Sequence, residues 1–168
     1  MTLAEAAAQA DALAGEGAER ELAALRAQWD DEVEAAARSR DFRERAGAYR
    51  AIGQFRYRQK TELLRRGLED EAPACRGSAL ISLELLSRDH PGVVNGVRPL
   101  LHELVTHDGN DAVRRLAVVA LRNGSPERST IGILAALGEN DEQGRELRDA
   151  AAKVAQILRR KAGPGQPR

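Results

Sequence analysis

The sequence predicts an all-α fold, a right-handed α-solenoid of about four helical hairpins. The first observation is an Arg-x-x-Ala segment that recurs, with its arginines 33, 38 and 34 residues apart. Internal periods of this size are typical of stacked helical hairpins. The second is composition: hydrophobic residues make up 42% of the chain but aromatic residues only 3%, which favours close-packed helices over a sheet. The third is that no stretch alternates apolar and polar residues as a strand would. The recurring segments are Phe42-Arg43-x-x-Ala46, Cys75-Arg76-x-x-Ala79, Val113-Arg114-x-x-Ala117 and Leu147-Arg148-x-x-Ala151.

The N-terminal part predicts two helices. Residues 3–13 are rich in alanine, and glycines at 15 and 17 interrupt the pattern. Apolar residues at steps of three and four predict a second helix over residues 19–38. We expect residues 1–18 to form a capping helix, residues 19–161 a domain of helical repeats, and residues 162–168 a disordered tail.

Capping and turn residues divide the rest of the repeat domain. Asp41 is a suitable N-cap for a helix that Gly53 ends. Pro73 follows an acidic turn and suits the first turn of the next helix. Pro99 interrupts a helical pattern and should kink or split that helix, and Asp111 is the predicted N-cap of the one that follows. These signals predict eight or nine helices in antiparallel pairs.

Charge is balanced overall but not locally. The formal net charge is zero, so the whole chain has no general attraction for phosphate backbones or anionic lipids. Residues 1–41 nevertheless carry a net charge of −6, and residues 42–66 carry +6. We expect these two blocks to lie partly against each other, which would leave Arg56, Arg58 and Lys60 available.

The residues that could carry chemistry do not form a recognisable pattern. The single cysteine, Cys75, excludes an intrachain disulfide and a multi-cysteine metal site, and its apolar position predicts a buried small side chain. His102 and His107 are five residues apart, which does not place two metal ligands on one helical face. No nucleophile elbow, phosphate loop or dinucleotide fingerprint is present. We therefore predict no catalytic, cofactor-binding or metal site.

The chain shows no sign of a membrane association. It contains no apolar stretch approaching 18 residues, the length that a spanning helix requires. Its N-terminus lacks a basic leader followed by a long apolar run. We expect a soluble, cytoplasmic protein without a membrane partner.

Several of the segments resemble HEAT repeats, in the short form often seen in bacterial proteins. Residues 68–76 carry the resemblance most closely, with an acidic turn followed by an apolar residue and arginine; residues 108–119 match well and residues 139–155 more loosely. The resemblance covers roughly residues 20–160. It implies that each repeated arginine bonds with Asp or Glu of a neighbouring turn and that each repeated alanine allows close helix packing. It also implies a concave surface lined by the second helix of each pair.

A HEAT-like fold implies a non-catalytic scaffold or adaptor whose partner is another protein. Aromatic and basic residues alternate over residues 55–60, a mixture suited to partner anchors or to stacking on nucleic acid. The alternative interpretation of this segment is a connection whose basic side chains face the acidic N-terminal block. Two alternatives to the scaffold remain: a HEAT-like lyase or isomerase acting on a protein-bound chromophore, and a nucleic-acid-binding HEAT-like module, which the zero net charge disfavours. The predicted partner-binding residues are Phe55, Arg56, Tyr57, Arg58, Lys60, Arg115 and Arg122.

Overall fold

A computed structural model describes residues 1–164, which form ten α-helices and a short 3-10 helix at Arg58–Lys60, with no β-strand in that range. This confirms the predicted all-α fold class. None of the helices in the described range is both long and apolar enough to cross a bilayer. The helices are α1 (Leu3–Gly15), α2 (Glu19–Ala37), α3 (Phe42–Gln54), α4 (Thr61–Leu68), α5 (Pro73–Ser87), α6 (Gly92–Asn95), α7 (Arg98–His107), α8 (Asp111–Leu121), α9 (Arg128–Gly138) and α10 (Arg145–Ala162).

The chain divides into two compact units, Met1–Leu86 and a second unit that begins at Ser87. In the first unit α1 packs against both α2 and α3 and buries three alanines, at positions 6, 7 and 10. The side chain of Thr2 caps α1, because its hydroxyl accepts a hydrogen bond from the backbone N–H of Glu5. The cap over residues 1–18 and the tail over 162–168 stay predictions, and residues 165–168 of that tail lie outside the described range.

Small residues let the helices of the first unit approach closely. A Cβ atom at Gly53 of α3 would lie 2.6 Å from the Ser82 hydroxyl of α5. That hydroxyl accepts a hydrogen bond from the Gly53 N–H at 3.0 Å and donates one to the carbonyl of Tyr49. A Cβ atom at Gly67 of α4 would lie 2.9 Å from the Cβ atom of Ala79. The contacts of α5 with α3 and α4 therefore depend on the absence of side-chain volume at these glycines.

In the second unit, α8 packs against α7, and α10 packs against both α9 and α8. The helical pattern around Pro99 is split, as predicted, since α6 ends at Asn95 and Pro99 lies in the first turn of α7. The prediction that Asp111 caps α8 is wrong. Asn110 is the N-cap, and its side-chain oxygen accepts a hydrogen bond from the Val113 N–H at 3.0 Å.

Candidate functional site

Four helices, two in each unit, carry an arginine at the same position within the helix. In α3, α5, α8 and α10 the fourth residue is an arginine: Arg45, Arg76, Arg114 and Arg148. An alanine follows each arginine by three positions, and all four alanines are fully buried: Ala48, Ala79, Ala117 and Ala151. The buried alanines explain why the repeat requires a small residue there, since a larger side chain would separate the packed helices.

The predicted first member of this repeat, Phe42-Arg43-x-x-Ala46, is wrong. Asp41 caps α3 by accepting a hydrogen bond from the Arg43 N–H at 2.9 Å, so Arg43 is only the second helical residue. Arg43 is exposed, and its guanidinium lies over the Phe42 ring, which is itself 42% exposed. The segment that begins at Arg45 also matches Arg-x-x-Ala, and it is the one that faces the core.

Arg45 makes the link between turns that the HEAT resemblance implied. Its Nε atom lies 2.8 Å from one carboxylate oxygen of Asp70, and its Nη2 atom lies 3.0 Å from the other. The remaining nitrogen donates to the carbonyls of Ser39 and Arg40. Burial alone would raise the pKa of Asp70, but the hydrogen bonds from Arg45 and from the Ala72 N–H lower it below 3.8. Asp70 is therefore ionised and held between two elements of the first unit.

The structure contradicts the expected exposure of the segment at residues 55–60. Phe55 and Tyr57 are buried, with 0% and 1% of their surfaces exposed, and their ring centroids lie 5.1 Å apart. The Tyr57 hydroxyl donates a hydrogen bond to the carbonyl of Arg26 in α2. The aromatic rings therefore contribute to the core of the first unit rather than to an exposed anchor.

Lys60 is also buried, with 7% of its surface exposed. Its ammonium group forms ion pairs with two carboxylates of α2. Its Nζ atom lies 2.5 Å from Asp30 and 2.7 Å from Glu34. Burial alone would lower the pKa of Lys60, but these hydrogen bonds raise it above 10.5, so the side chain stays charged.

The acidic and basic blocks thus lie partly against each other, as predicted. Arg56 joins this pairing through Asp11, at 2.9 Å. The expectation that Arg56 and Lys60 stay available is wrong, because the pairing itself occupies them. Arg58 is the exposed member of the predicted contact residues in this segment, and the partner-binding role of the segment stays a prediction.

The other two predicted contact residues, Arg115 and Arg122, line one groove of about 390 Å³ between α8 and α10. Val119, Val154 and Ile157 supply its apolar surface. The charged residues of its lining are Arg115, Arg122, Glu146, Asp149 and Lys153. The sequence interpretation missed the three charged residues from α10, although their spacing of three and four residues on one helix is a signal for a common face.

The carboxylates of this groove lie at one end of it. At one end Arg114 of α8 donates to Gln143, which precedes α10, and at the other Lys161 of α10 donates to the carbonyl of Arg122. The two helices therefore run in the same direction. Glu146 lies in the first turn of α10, whereas Arg122 is the C-cap of α8. The two carboxylates of the groove, Glu146 and Asp149, therefore lie where the helices begin, at the same end as Arg115, and Arg122 lies where α8 ends.

Comparison with known proteins identifies the family. A family model described as HEAT repeats matches residues 31–122, more than half of the chain. The chain belongs to the HEAT-repeat family. A search of the curated proteins and a search of the solved structures each found no match. The HEAT match begins within α2 and ends just after α8, and α10 continues the same register through Arg148 and Ala151.

Two further reactive side chains of this HEAT-repeat protein, Cys75 and His102, make contacts within the protein. Cys75 is buried, as predicted; its Sγ atom donates to the carbonyl of Phe42 at 3.2 Å, and burial raises the pKa of its thiol. His102 lies 2.8 Å from the hydroxyl of Thr130, and burial together with the charge of Arg98 lowers the pKa of His102. Within residues 1–164, no three side chains of His, Cys, Asp or Glu come together in a metal-binding arrangement.

Proposed function

We propose that this HEAT-repeat chain is a non-catalytic interaction scaffold that binds a protein partner in the groove between α8 and α10. HEAT repeats commonly serve as protein-interaction scaffolds. The observation that carries the proposal is the composition of the groove, in which apolar Val119, Val154 and Ile157 lie among arginines and carboxylates. An apolar centre with charged residues at its edge is the usual anatomy of a protein interface. A cytoplasmic location is part of the same proposal.

The charges of the groove favour one class of partner, an amphipathic helix that lies antiparallel to α10. Helices commonly carry acidic residues in their first turn and basic residues in their last, because these charges complement the helix dipole. An antiparallel partner of this kind places its acidic start near Arg122 and its basic end near Glu146 and Asp149. Its apolar stripe then meets the apolar surface of the groove, as in other helix-in-groove complexes. A parallel partner would place its acidic start near these two carboxylates and its basic end near Arg122.

The test is selection from a displayed library of amphipathic 18-residue helices, a length equal to that of α10. We expect enriched peptides to carry Asp or Glu in the first turn and Lys or Arg in the last. A charge reversal at the end of the groove opposite the carboxylates, Arg122→Glu, should weaken binding of these peptides by at least about tenfold, because it places a carboxylate against their acidic first turn. Fluorescence anisotropy with a labelled peptide measures the loss.

The matched control is Arg20→Glu, which makes the same change of charge at an exposed position of the first unit. This variant should bind the selected peptides as the unmodified protein does. Equal binding by the groove variant would reject the groove as the partner site. Enrichment of peptides with the opposite charge order would reject the antiparallel orientation.

The nucleic-acid alternative loses the feature that supported it. It depended on alternating aromatic and basic residues over residues 55–60, but Phe55, Tyr57 and Lys60 are buried. Buried rings are not available to stack on bases. No observation in the described part of the chain favours the chromophore lyase alternative over the scaffold.

A further inference from the structure

Arg114 is a nearly buried cation at the edge of a second cavity. Only 9% of its surface is exposed, and it lines a pocket of about 300 Å³ where α7 and α9 end. Apolar Ile133, Ala136 and Leu137 of α9 form one side of this pocket. The pocket and the α8–α10 groove have no lining residue in common.

The hydrogen bonds of Arg114 leave part of its guanidinium unused. Nε donates to the carbonyl of Val105 at 2.9 Å, and Nη1 donates to the side-chain oxygen of Gln143 at 2.7 Å. Both acceptors are neutral. Nη1 also lies 3.5 Å from Asp111, but 69% of that carboxylate side chain is exposed, so solvent weakens the pair. Nη2 makes no hydrogen bond within residues 1–164.

Arg45, at the same helical position in the first unit, shows what such an arginine can bind. Two of its nitrogens hold the two oxygens of the Asp70 carboxylate, at 2.8 and 3.0 Å. The turn that faces Arg114 offers the neutral amide of Gln143 instead. The planar guanidinium matches a carboxylate with two parallel hydrogen bonds, and such charge-assisted bonds are roughly twice as strong as neutral ones. Arg114 therefore has the donor geometry of Arg45 without a carboxylate that engages two of its nitrogens.

We propose that this pocket binds an aliphatic carboxylate, with the carboxylate on Arg114 and the aliphatic body against Ile133, Ala136 and Leu137. A volume of about 300 Å³ is at the lower end of the range for small-molecule sites, which fits a short aliphatic acid. Asn140 and Thr106 add polar groups to the lining. Asp111 lies beside the guanidinium and Asp141 is near it in sequence, but their side chains are 69% and 99% exposed, so solvent weakens their repulsion of an anion.

The first experiment titrates the protein with valerate and with valeramide, which has the same shape without the charge. We expect valerate to bind at least about tenfold more tightly than the amide, and to bind more weakly as salt is added. Chemical-shift changes should be confined to residues around Arg114 and α9. Equal affinity for acid and amide, or no binding of valerate and of glutamate within a short blocked peptide, would overturn the proposal.

The same titration distinguishes two sources of the carboxylate. Binding of valerate and of the blocked peptide at this pocket supports a general carboxylate site. Binding of the peptide alone supports a site that recognises an acidic side chain of a protein partner, and binding of valerate alone supports a site for a free acid.

The decisive variant is Gln143→Glu, which places a carboxylate beside Arg114 without changing the size of the side chain. It should abolish valerate binding, because the new carboxylate takes the place of the ligand as Asp70 does for Arg45. Gln156→Glu, an exposed substitution on α10, adds the same charge elsewhere and should leave binding unchanged. Arg114→Lys keeps the charge but loses the planar fork, so affinity should fall by about tenfold.

Unchanged valerate binding by Gln143→Glu would overturn the proposal, whether or not Arg114→Lys folds. Thermal unfolding shows that each variant tested is folded. The outcome is independent of the α8–α10 groove, since the charge reversal at Arg122 should leave valerate binding intact.

Discussion

Arg45 holds both carboxylate oxygens of Asp70, a residue 25 positions further along the chain. The same carboxylate accepts a hydrogen bond from the Ala72 N–H at 2.9 Å, immediately before α5 begins. Little of either side chain is exposed, 15% for Arg45 and 7% for Asp70. One carboxylate thus joins the first turn of α3 to the turn that leads into α5. This pairing stabilises the first unit. It is made by Arg45 and not by Arg43, the arginine that the repeat pattern indicated.

Replacement of Asp70 by Asn should destabilise the protein, because Arg45 would lose its only carboxylate partner within residues 1–164. Since the folded pKa of Asp70 lies below 3.8, this carboxylate contributes stability above that pH and loses it as pH falls through the folded pKa. The variant should therefore lose less stability on acidification than the unmodified protein. Urea unfolding across the acid range measures both effects.

Asp111→Asn is the control for that experiment. Asp111 pairs with Arg114 at 3.5 Å, but its side chain is 69% exposed, and exposed pairs contribute little. We expect a much smaller loss of stability than for Asp70→Asn. Equal losses for the two variants would show that the bidentate link is not special.

Replacement of Ala48 by Leu tests the corrected register of the repeat. Ala48 is fully buried, so the larger side chain should overpack α3 and cost about 1–3 kcal/mol of unfolding free energy. Ala46→Leu, two residues earlier in the same helix and only half-buried, should change stability by no more than about 0.5 kcal/mol. Chemical denaturation compares the two variants. The opposite ranking would restore the register that starts at Arg43.

The helices could be predicted from the sequence because their signals are local. The cap of α3 at Asp41, the proline that starts α5 and the break around Pro99 all depend on residues close in the chain. The first repeat was misread because both Arg43 and Arg45 are followed three residues later by alanine. The position of the N-cap decides between them, and the repeat period does not.

Burial of residues 55–60 and the groove itself could not be predicted in this way. The chain turns sharply at Arg56, whose φ of 59° is a left-handed conformation, and the rings on either side of it then enter the core. Acidic partners from α2 make burial of Lys60 tolerable, and they precede it by 26 and 30 residues. The groove likewise combines residues of α8 and α10 that are distant in sequence, so its charge pattern appears only in the fold.

Mild acidification should destabilise the second unit through His102. Burial, with the charge of Arg98, lowers the pKa of His102 below 6.5, whereas Glu127 acts in the opposite direction. The unfolded chain therefore binds a proton more readily than the folded one, and stability falls as pH drops below 6.5 through the folded pKa. His102→Gln, which keeps a hydrogen-bonding group near Thr130, should reduce this dependence. Melting temperatures between about pH 5 and pH 8 test it, with His107→Gln, at an exposed residue, as the control.

Deletion of residues 1–18 should leave a folded protein that binds polyanions more strongly. Helix α1 packs on α2 and α3 through small alanines, and its Asp11 neutralises Arg56 at 2.9 Å. Loss of α1 exposes that face and removes the carboxylate, so Arg56 gains a free charge, although it still donates to the carbonyl of Gly53. Asp11→Asn separates the two effects, because it removes the charge and keeps the helix. Both variants should be retained longer on heparin than the unmodified protein, and only the deletion should lower the melting temperature substantially.

A deletion variant that unfolds would show that α1 is part of the core rather than a cap. Unchanged heparin retention in both variants would show that the Asp11–Arg56 pair does not limit polyanion binding.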